Sequence, residues 1–346
     1  MEGVRRRNMK ILVTGGLGYI GSHTVVALQQ AGFEVSIVDN LSNSSIDVLE
    51  GIAKITGITP HFKFLDLRDK CEVHHYFKIH KEIEGIIHFA ASKAVGESVE
   101  NPLLYYENNV SSLVNLLQEC EKQGIFNFIF SSSCTVYGEP DGLPITEDAP
   151  IKKATSPYGN TKQISEEILF DTSKVSALKA IALRYFNPIG AHDSVEIGEL
   201  PLGVPQNLVP FITQTAYGIR EELSVYGDDY PTQDGSCIRD YIHVVDLADA
   251  HVVALNRLLQ KKNTSAFEVF NIGTGTGSSV FEVITTFDQV TGKKLKYKVV
   301  DRRPGDVIAV YADTSKADKV LGWKSKHTLA DALSSAWKWE MKIRKE

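Results

Sequence analysis

The sequence predicts an α/β protein in which a doubly wound parallel sheet is followed by a smaller α/β domain. Two observations carry this prediction. From Lys10 onward, short β-branched runs alternate with helical stretches, and continuous apolar runs of that kind are what strands covered on both faces look like. Beyond Asn187 the rhythm breaks into proline- and glycine-rich segments such as Gly198 to Gln206 and Tyr226 to Gly235, with helices and short strands between them.

In chain order, Ile11 to Val13 is the first predicted strand and Thr24 to Ala31 the first helix. Strands follow at Glu34 to Val38, His61 to Leu65 and Gly85 to Phe89. A long helix is expected over Tyr105 to Gln123, a strand over Phe126 to Phe130, a second long helix over Tyr158 to Ser173, and a strand over Ala180 to Arg184. This places one domain over residues 9–187 and the other over 188–346. The stretch from Asp240 to about Leu259 again reads as strand then amphipathic helix, so a segment near 240–260 is expected to return to the first domain.

Composition narrows the class. At 43% hydrophobic and 23% charged residues the chain is globular, and a net charge of −6 without a clustered basic face argues against a nucleic-acid partner. Arg5-Arg6-Arg7 reads as part of a short tail, because the apolar stretch behind it is broken by Gly15, Gly16, Gly18 and Gly21. No apolar segment approaches the roughly 20 residues of a membrane helix, so no membrane partner is expected. Cys71, Cys120, Cys134 and Cys237 are scattered, which suits reduced thiols in a cytosol better than disulfides or zinc. His74, His75 and His80 lack an acidic or cysteine partner at ligand spacing and read as a solvated helix face, so no metal is expected.

The first strand runs directly into Gly15-Gly16-Leu17-Gly18-Tyr19-Ile20-Gly21 and then a helix. This strand, glycine turn and helix set a pyrophosphate on a helix N-terminus, as in dinucleotide-binding Rossmann sheets. Gly15 permits the tight turn, Gly18 the approach of backbone to phosphate, and Gly21 close packing of helix on sheet. The second strand ends in Asp39, whose carboxylate can accept hydrogen bonds from ribose hydroxyls and would repel a 2′-phosphate. NAD is therefore favoured over NADP. Asp66, behind the third strand, is placed to meet the adenine edge, with a simple helix cap as the alternative.

Tyr158 and Lys162 lie four residues apart and share a helix face, and Ser133 closes the strand that runs from Phe128. A phenol of pKa about 10 resists ionisation near neutral pH by roughly 4 kcal/mol. An ammonium about 4 Å away, at an effective dielectric near 20, offsets an amount of that size. An oxidised nicotinamide would add to it. Behind a dinucleotide turn and a serine-rich strand end, Tyr158 and Lys162 read as a general base and its tuning cation.

With these residues in view, the sequence resembles the extended short-chain dehydrogenase/reductase family, in its epimerase/dehydratase group. The resemblance runs from Met9 to about Trp339. It is carried by the glycine turn, Asp39-Asn40-Leu41, His88-Phe89-Ala90-Ala91-Ser92-Lys93-Ala94-Val95-Gly96-Glu97-Ser98, Phe130-Ser131-Ser132-Ser133, Thr135-Val136-Tyr137-Gly138, Arg184-Tyr185-Phe186-Asn187, Arg239-Asp240-Tyr241-Ile242-His243-Val244 and Arg303-Pro304-Gly305-Asp306. What it implies is epimerisation at C4 of a UDP-sugar, UDP-glucose to UDP-galactose, by transient oxidation with bound NAD. Tyr158 would take the 4-hydroxyl proton, Ser133 bind the same oxygen, and Lys162 hold the ribose.

The resemblance also implies cofactor contacts at Tyr19, Ile20, Asn40, Asn43, Ser44, Leu67, Phe89, Ala90, Ala91, Lys93, Asn108, Tyr158, Lys162 and Tyr185. Read singly, Phe89 belongs to the core, as it continues the apolar strand from Ile86. For the nucleotide sugar it implies Lys93, Ser133, Tyr158, Phe186, Asn187, Asn207, Leu208, Tyr226, Arg239 and Arg303, with Asp306 in the same shell. Guanidinium donors match diphosphate oxygens bidentately, which suits the two arginines. Val310 matches a position held in the family by a bulky tyrosine or a small residue, so N-acetylated UDP-hexosamines are expected to fit as well. A homodimer is expected, through the two long helices. Three alternatives stand beside this reading: a 4,6-dehydratase, disfavoured because Cys134-Thr135 occupy the place of its Asp-Glu pair; a 4-epimerase of a UDP-pentose or UDP-uronic acid; and a non-catalytic NAD-binding protein.

Overall fold

The computed structural model describes residues 9–303 and 306–345. Strands β1 Lys10–Thr14, β2 Glu34–Asp39, β3 His61–Phe64, β4 Ile83–His88, β5 Asn127–Ser133 and β6 Lys179–Tyr185 alternate with helices α1 Tyr19–Gln30, α2 Val48–Thr56, α3 Lys70–Ile79, α4 Val95–Glu100, α5 Pro102–Tyr105, α6 Ser112–Gln123 and α7 Pro157–Val175. After β7 Asn187–Ile189 come α8 Leu208–Tyr217, β8 Leu223–Tyr226, β9 Ile238–Arg239, β10 Tyr241–His243, α9 Val244–Leu259 and β11 Phe267–Ile272. The chain ends with β12 Ser278–Ser279, α10 Val280–Thr291, β13 Tyr297–Val300, β14 Ala309–Val310 and α11 Leu329–Ile343. Arg5-Arg6-Arg7, Pro304 and Gly305 lie outside the described residues.

The chain divides into two compact units. The first comprises residues to Gly138, Ile151–Arg184 and Ala248–Phe270, and the second Glu139–Pro150, Tyr185–Leu247 and Asn271 onward. Seven strands form the sheet of the first unit in the order β11-β6-β5-β4-β1-β2-β3, with β1 paired in parallel to both β2 and β4. Consecutive strands thus move outward in opposite directions from β1, and the crevice beyond the carboxyl ends of β1 and β4 is where ligands sit in such sheets. One face buries Leu12, Ile86 and Phe128 against Val73 and Phe77 of α3, Leu113, Leu116 and Leu117 of α6, and Leu169 of α7. The second unit has its own core, in which Val209 and Ile212 of α8, Ile284 and Phe287 of α10 and Leu333 and Trp337 of α11 pack on Leu223 and Val225 of β8.

Three features depart from the sequence reading. The long helix expected over Tyr105 to Gln123 is α6 preceded by a π-turn at Tyr106–Ser111, and such turns recur at functional sites. The returning segment is 248–270 rather than 240–260, and it brings an unforeseen seventh strand, β11, to the sheet edge. Residues 139–150 belong to the second unit, because Ile145 exchanges backbone hydrogen bonds with Tyr311 (3.0 Å) and Asp313 (2.7 Å). Contacts between residues so distant in sequence leave no local pattern.

Candidate active site

In the first unit, Gly15 turns the chain behind β1 at φ +68°, in the left-handed region that glycine enters without strain. A Cβ on Gly15 would lie 2.7 Å from the amide nitrogen of Ala90, and one on Gly21 only 2.2 Å from the carbonyl oxygen of Gly15. Neither position accepts a side chain. Gly18 caps α1 without a side-chain hydrogen bond, and the first turn, with Tyr19 and Ile20, carries no acid. Amides at a helix start lack intrahelical partners and sit at the positive end of its dipole, so this cradle fits a pyrophosphate.

Asp39 ties the cradle to the loop after β2. Its buried carboxylate accepts from the amides of Leu17 (3.1 Å) and Leu41 (2.9 Å) and from the Ser44 hydroxyl (2.9 Å). Asn40 donates to Asp66 (3.2 Å), while Asn43 is exposed. Asp66 is occupied by Arg68, whose guanidinium donates to both carboxylate oxygens and holds the group down at about 2. Leu67 is buried in the core.

Behind β4, the Phe89 ring is half-buried and lies 4.7 Å from that of His251, rather than continuing into the core. The Ala90 amide approaches Thr14 Oγ1 (3.4 Å), which is 2.7 Å from Nδ1 of His88. Burial, with the Lys162 ammonium adding to it, pulls His88 down to about 3 and keeps it neutral. Ala91 is half-buried and Lys93 exposed. Asn108 donates to Ser92 Oγ (3.0 Å), but its neighbour Asn109 is the buried one. Asn109 accepts from the Ser92 amide (2.8 Å) and donates to the Ser92 carbonyl and to Thr161 Oγ1 (3.0 Å each). No motif marked Asn109; its place in the π-turn decides its role.

The α7 start is set by Ser156, whose hydroxyl accepts from the Gly159 amide (3.1 Å), with Pro157 at the first helical position. Tyr158 and Lys162, one turn apart, are both buried. The Lys162 ammonium donates to the Ser131 carbonyl (2.7 Å) and lies 4.8 Å from the Phe130 ring centroid and 5.9 Å from that of Tyr158. Burial lowers its pKa to about 8, against the pull of the Glu166 carboxylate. Ser133, two residues beyond Ser131, accepts from the Thr135 amide (3.2 Å) and hydroxyl (3.0 Å). One buried ammonium thus holds the end of β5 to the first turn of α7. Beneath it, Glu166 accepts from Ser132 Oγ (2.5 Å) and from Arg184 Nε (3.0 Å) and Nη2 (2.5 Å). Glu166 went unmarked in the sequence, although it stands one turn beyond Lys162.

In the second unit, Tyr185 is half-buried and Phe186 buried, and the amide of Asn187 donates to the Asp240 carbonyl (3.0 Å). Tyr226, Arg239, Arg303 and Asp306 come together. Arg303 donates to Asp306 (2.7 and 3.2 Å) and stacks 5.4 Å from the Tyr226 ring centroid, while Arg239 Nη2 lies 3.6 Å from Asp306. Val310 is the register partner of Arg239 in the β9–β14 pair. Asn207 and Leu208 stand apart, at the start of α8. Among the described residues the Asn207 side chain is hydrogen-bonded to Glu199 (2.8 Å) and not to this cluster.

A family model described as GDP-mannose 4,6 dehydratase matches residues 12–335. The chain is 50% identical over 333 residues to a UDP-glucose 4-epimerase of Bacillus subtilis, covering 96% of this chain and 97% of that protein. Among solved structures it is similar to a UDP-glucose 4-epimerase from Stenotrophomonas maltophila with bound NAD and formylated UDP-arabinopyranose, with a TM-score of 0.94 and 46% identity over 97% of this chain and 99% of that one. A UDP-Glc/GlcNAc 4-epimerase from Campylobacter jejuni follows at a TM-score of 0.83 and 39% identity, covering 96% and 99%.

Proposed function

The chain belongs to the NAD-dependent epimerase/dehydratase family, among the UDP-glucose 4-epimerases, and on that premise we propose that it interconverts UDP-glucose and UDP-galactose. Bound NAD would supply reversible hydride exchange at C4 of the sugar, with no net oxidation. The observation that carries this reading is the buried Lys162 ammonium, one turn from Tyr158 and seated on the strand end that bears Ser133. Tyr158 takes the proton of the 4-hydroxyl and later returns it, Ser133 donates a hydrogen bond to the same oxygen, and Lys162 favours the ionised phenol by its charge. The 4-keto sugar turns over between the two transfers.

Gly15, Gly18 and Gly21 would cradle the pyrophosphate of NAD, and Asp39 would accept from its ribose. On the sugar-nucleotide side, Arg239 and Arg303 would exchange Asp306 for the diphosphate, with Tyr226, Asn187 and Asn207 around it. The Arg303 side chain is largely exposed, so its pairing with Asp306 is open to competition from a ligand anion, which supports that exchange. Val310, short beside Arg239, leaves room for an N-acetyl group at C2, and the likeness to a UDP-Glc/GlcNAc 4-epimerase supports this breadth. We also propose a homodimer in the cytosol. Among the described residues no helix is long and apolar enough to cross a membrane.

The deciding experiment mixes purified protein with UDP-galactose, without added NAD. UDP-glucose should appear, with nicotinamide released only on denaturation. A preparation that holds NAD and forms no UDP-glucose removes the enzyme reading. Scattering at micromolar concentration should give twice the chain mass; a monomer removes the dimer alone.

A further inference from the structure

Behind the Tyr158–Lys162 couple lies a buried ion pair that the reaction outlined above does not use. Glu166 follows Lys162 by one turn of α7, and Arg184 reaches it from β6 with Nε and Nη2, while Ser132 Oγ donates to Oε1 from β5. Both charged side chains are buried, at 7% exposure for Glu166 and 6% for Arg184. Removing two charges from water costs several kcal/mol per ion, and apolar residues of the same volume would serve packing as well or better. Packing alone does not account for keeping this arrangement.

Lys162 meets a defined set of charges. On its own helix are Tyr158 and Glu166, from β4 comes neutral His88, and from β6 Arg184, behind Glu166, which also lies over the Tyr137 ring. Its own hydrogen bond goes to Ser131, the residue before the one that Glu166 holds. The Glu166 carboxylate therefore acts on Lys162 and Tyr158 through space, and Arg184 attenuates it. We propose that Glu166 and Arg184 are positioning residues that set, by their opposed charges, the pH window in which Tyr158 is ionised while Lys162 remains an ammonium. The inference rests on the proposed roles of those two residues.

Signs follow from the charges. Removing the negative charge of Glu166 disfavours the ammonium and favours the phenolate, so both limbs of the bell-shaped profile move to lower pH. Removing the positive charge of Arg184 moves both to higher pH. Side chains one turn apart stand about 6 Å from each other, at which a unit charge in an effective dielectric near 20 shifts a titration by about one to two units. The test measures kcat for UDP-galactose against pH for the wild type, Glu166→Gln, Arg184→Gln and the double variant. Expected are an acid shift of about one unit or more, an alkaline shift of similar size, and a profile within a few tenths of wild type for the double, whatever its absolute kcat. Buttressing alone would lower kcat without moving the limbs, or move them the same way in both single variants, and either result overturns the inference. Should one single variant not fold, the other and the charge-conserving double decide it by the same signs. Absence of turnover in the wild type defeats the proposed function instead.

Discussion

In the first unit the ammonium of Lys162 is buried and seated on a backbone carbonyl, whereas in the second the guanidinium of Arg303 stays in reach of solvent and shares Asp306 with Arg239. The first arrangement is closely held. Its glycines would clash with a single added carbon, and its charged groups are held from three elements. The second is a set of solvent-reachable partnerships among residues 226, 239, 303 and 306, in which Arg239 and Arg303 share the Asp306 carboxylate. Under the proposed function a substrate diphosphate would compete with that carboxylate for both guanidiniums. On that reading, the groups that aim the chemistry are the tightly held ones, and the groups that bind the substrate are the exchangeable ones.

Tyr158→Phe attacks the rigid side where the effect is largest. Turnover should fall by about 10² to 10⁴ with bound nicotinamide unchanged, as expected for loss of a general base. Turnover within a few fold of wild type would take the phenol out of the reaction. Gly21→Ala should reduce nicotinamide retention at least about tenfold and lower the melting temperature, since overpacking costs about 1–3 kcal/mol where backbone has to yield. An alanine variant that keeps its cofactor would show the cradle to be softer than its contacts indicate.

Arg239→Ala tests the exchangeable side. Losing a charge-assisted hydrogen bond to a phosphate corresponds to about 1.5–3 kcal/mol, so KM for UDP-glucose should rise about 10- to 100-fold while the nicotinamide content stays at wild-type level. An effect on the cofactor instead would erase the contrast between the units. Val310→Tyr should cost UDP-N-acetylglucosamine about tenfold or more in kcat/KM relative to UDP-glucose; an unchanged ratio across the two sugars removes Val310 from specificity.

A last effect is on stability rather than on activity, and it involves both units. His88 in the first and His243 in the second are pulled by burial to about 3 and about 4. Unfolded histidine titrates near 6.5, so the unfolded chain takes up protons that the folded sites refuse. Their contribution is whole above pH 6.5 and erodes as pH falls, by up to about 1.4 kcal/mol per unit for each, ending near pH 4 for His243 and near pH 3 for His88. Urea midpoints between pH 7 and 4 should therefore decline less in His243→Gln than in wild type, and an identical slope would contradict the burial argument.

The two units also differ in how far they can be read without a structure. Strands β1 to β4 and β6 and helix α7 lie within a residue or two of where periodicity places them, whereas α1 begins at Tyr19 rather than Thr24, β5 runs on to Ser133, and the short helices α2 to α4 span too few turns for periodicity to mark them. The glycine turn shows in the sequence because a left-handed residue and two close approaches exclude other side chains at fixed spacing. Tyr158 and Lys162 show because helix geometry makes four residues one turn. Asp39 and Asp66 read alike as strand-end carboxylates, yet one receives the Leu17 amide of the glycine turn and the other the guanidinium of Arg68. Arg68, two positions from Asp66, is the local signal that separates them, while the Leu17 amide that Asp39 receives comes from 22 positions away.

By itself the sequence determined what local geometry dictates: the alternation of strands and helices, the turn that admits only glycine, and the two side chains on one helical face. Tertiary structure alone decided what depends on partners far along the chain. It delivered β11 to the sheet edge, drew residues 139–150 into the second unit through Ile145, set Val310 beside Arg239, and placed Arg184 on Glu166. The reason is physical. A constraint within one turn or one strand repeats at a fixed period and marks the residues that obey it, whereas a hydrogen bond between residues more than a hundred positions apart depends on the path of everything between them.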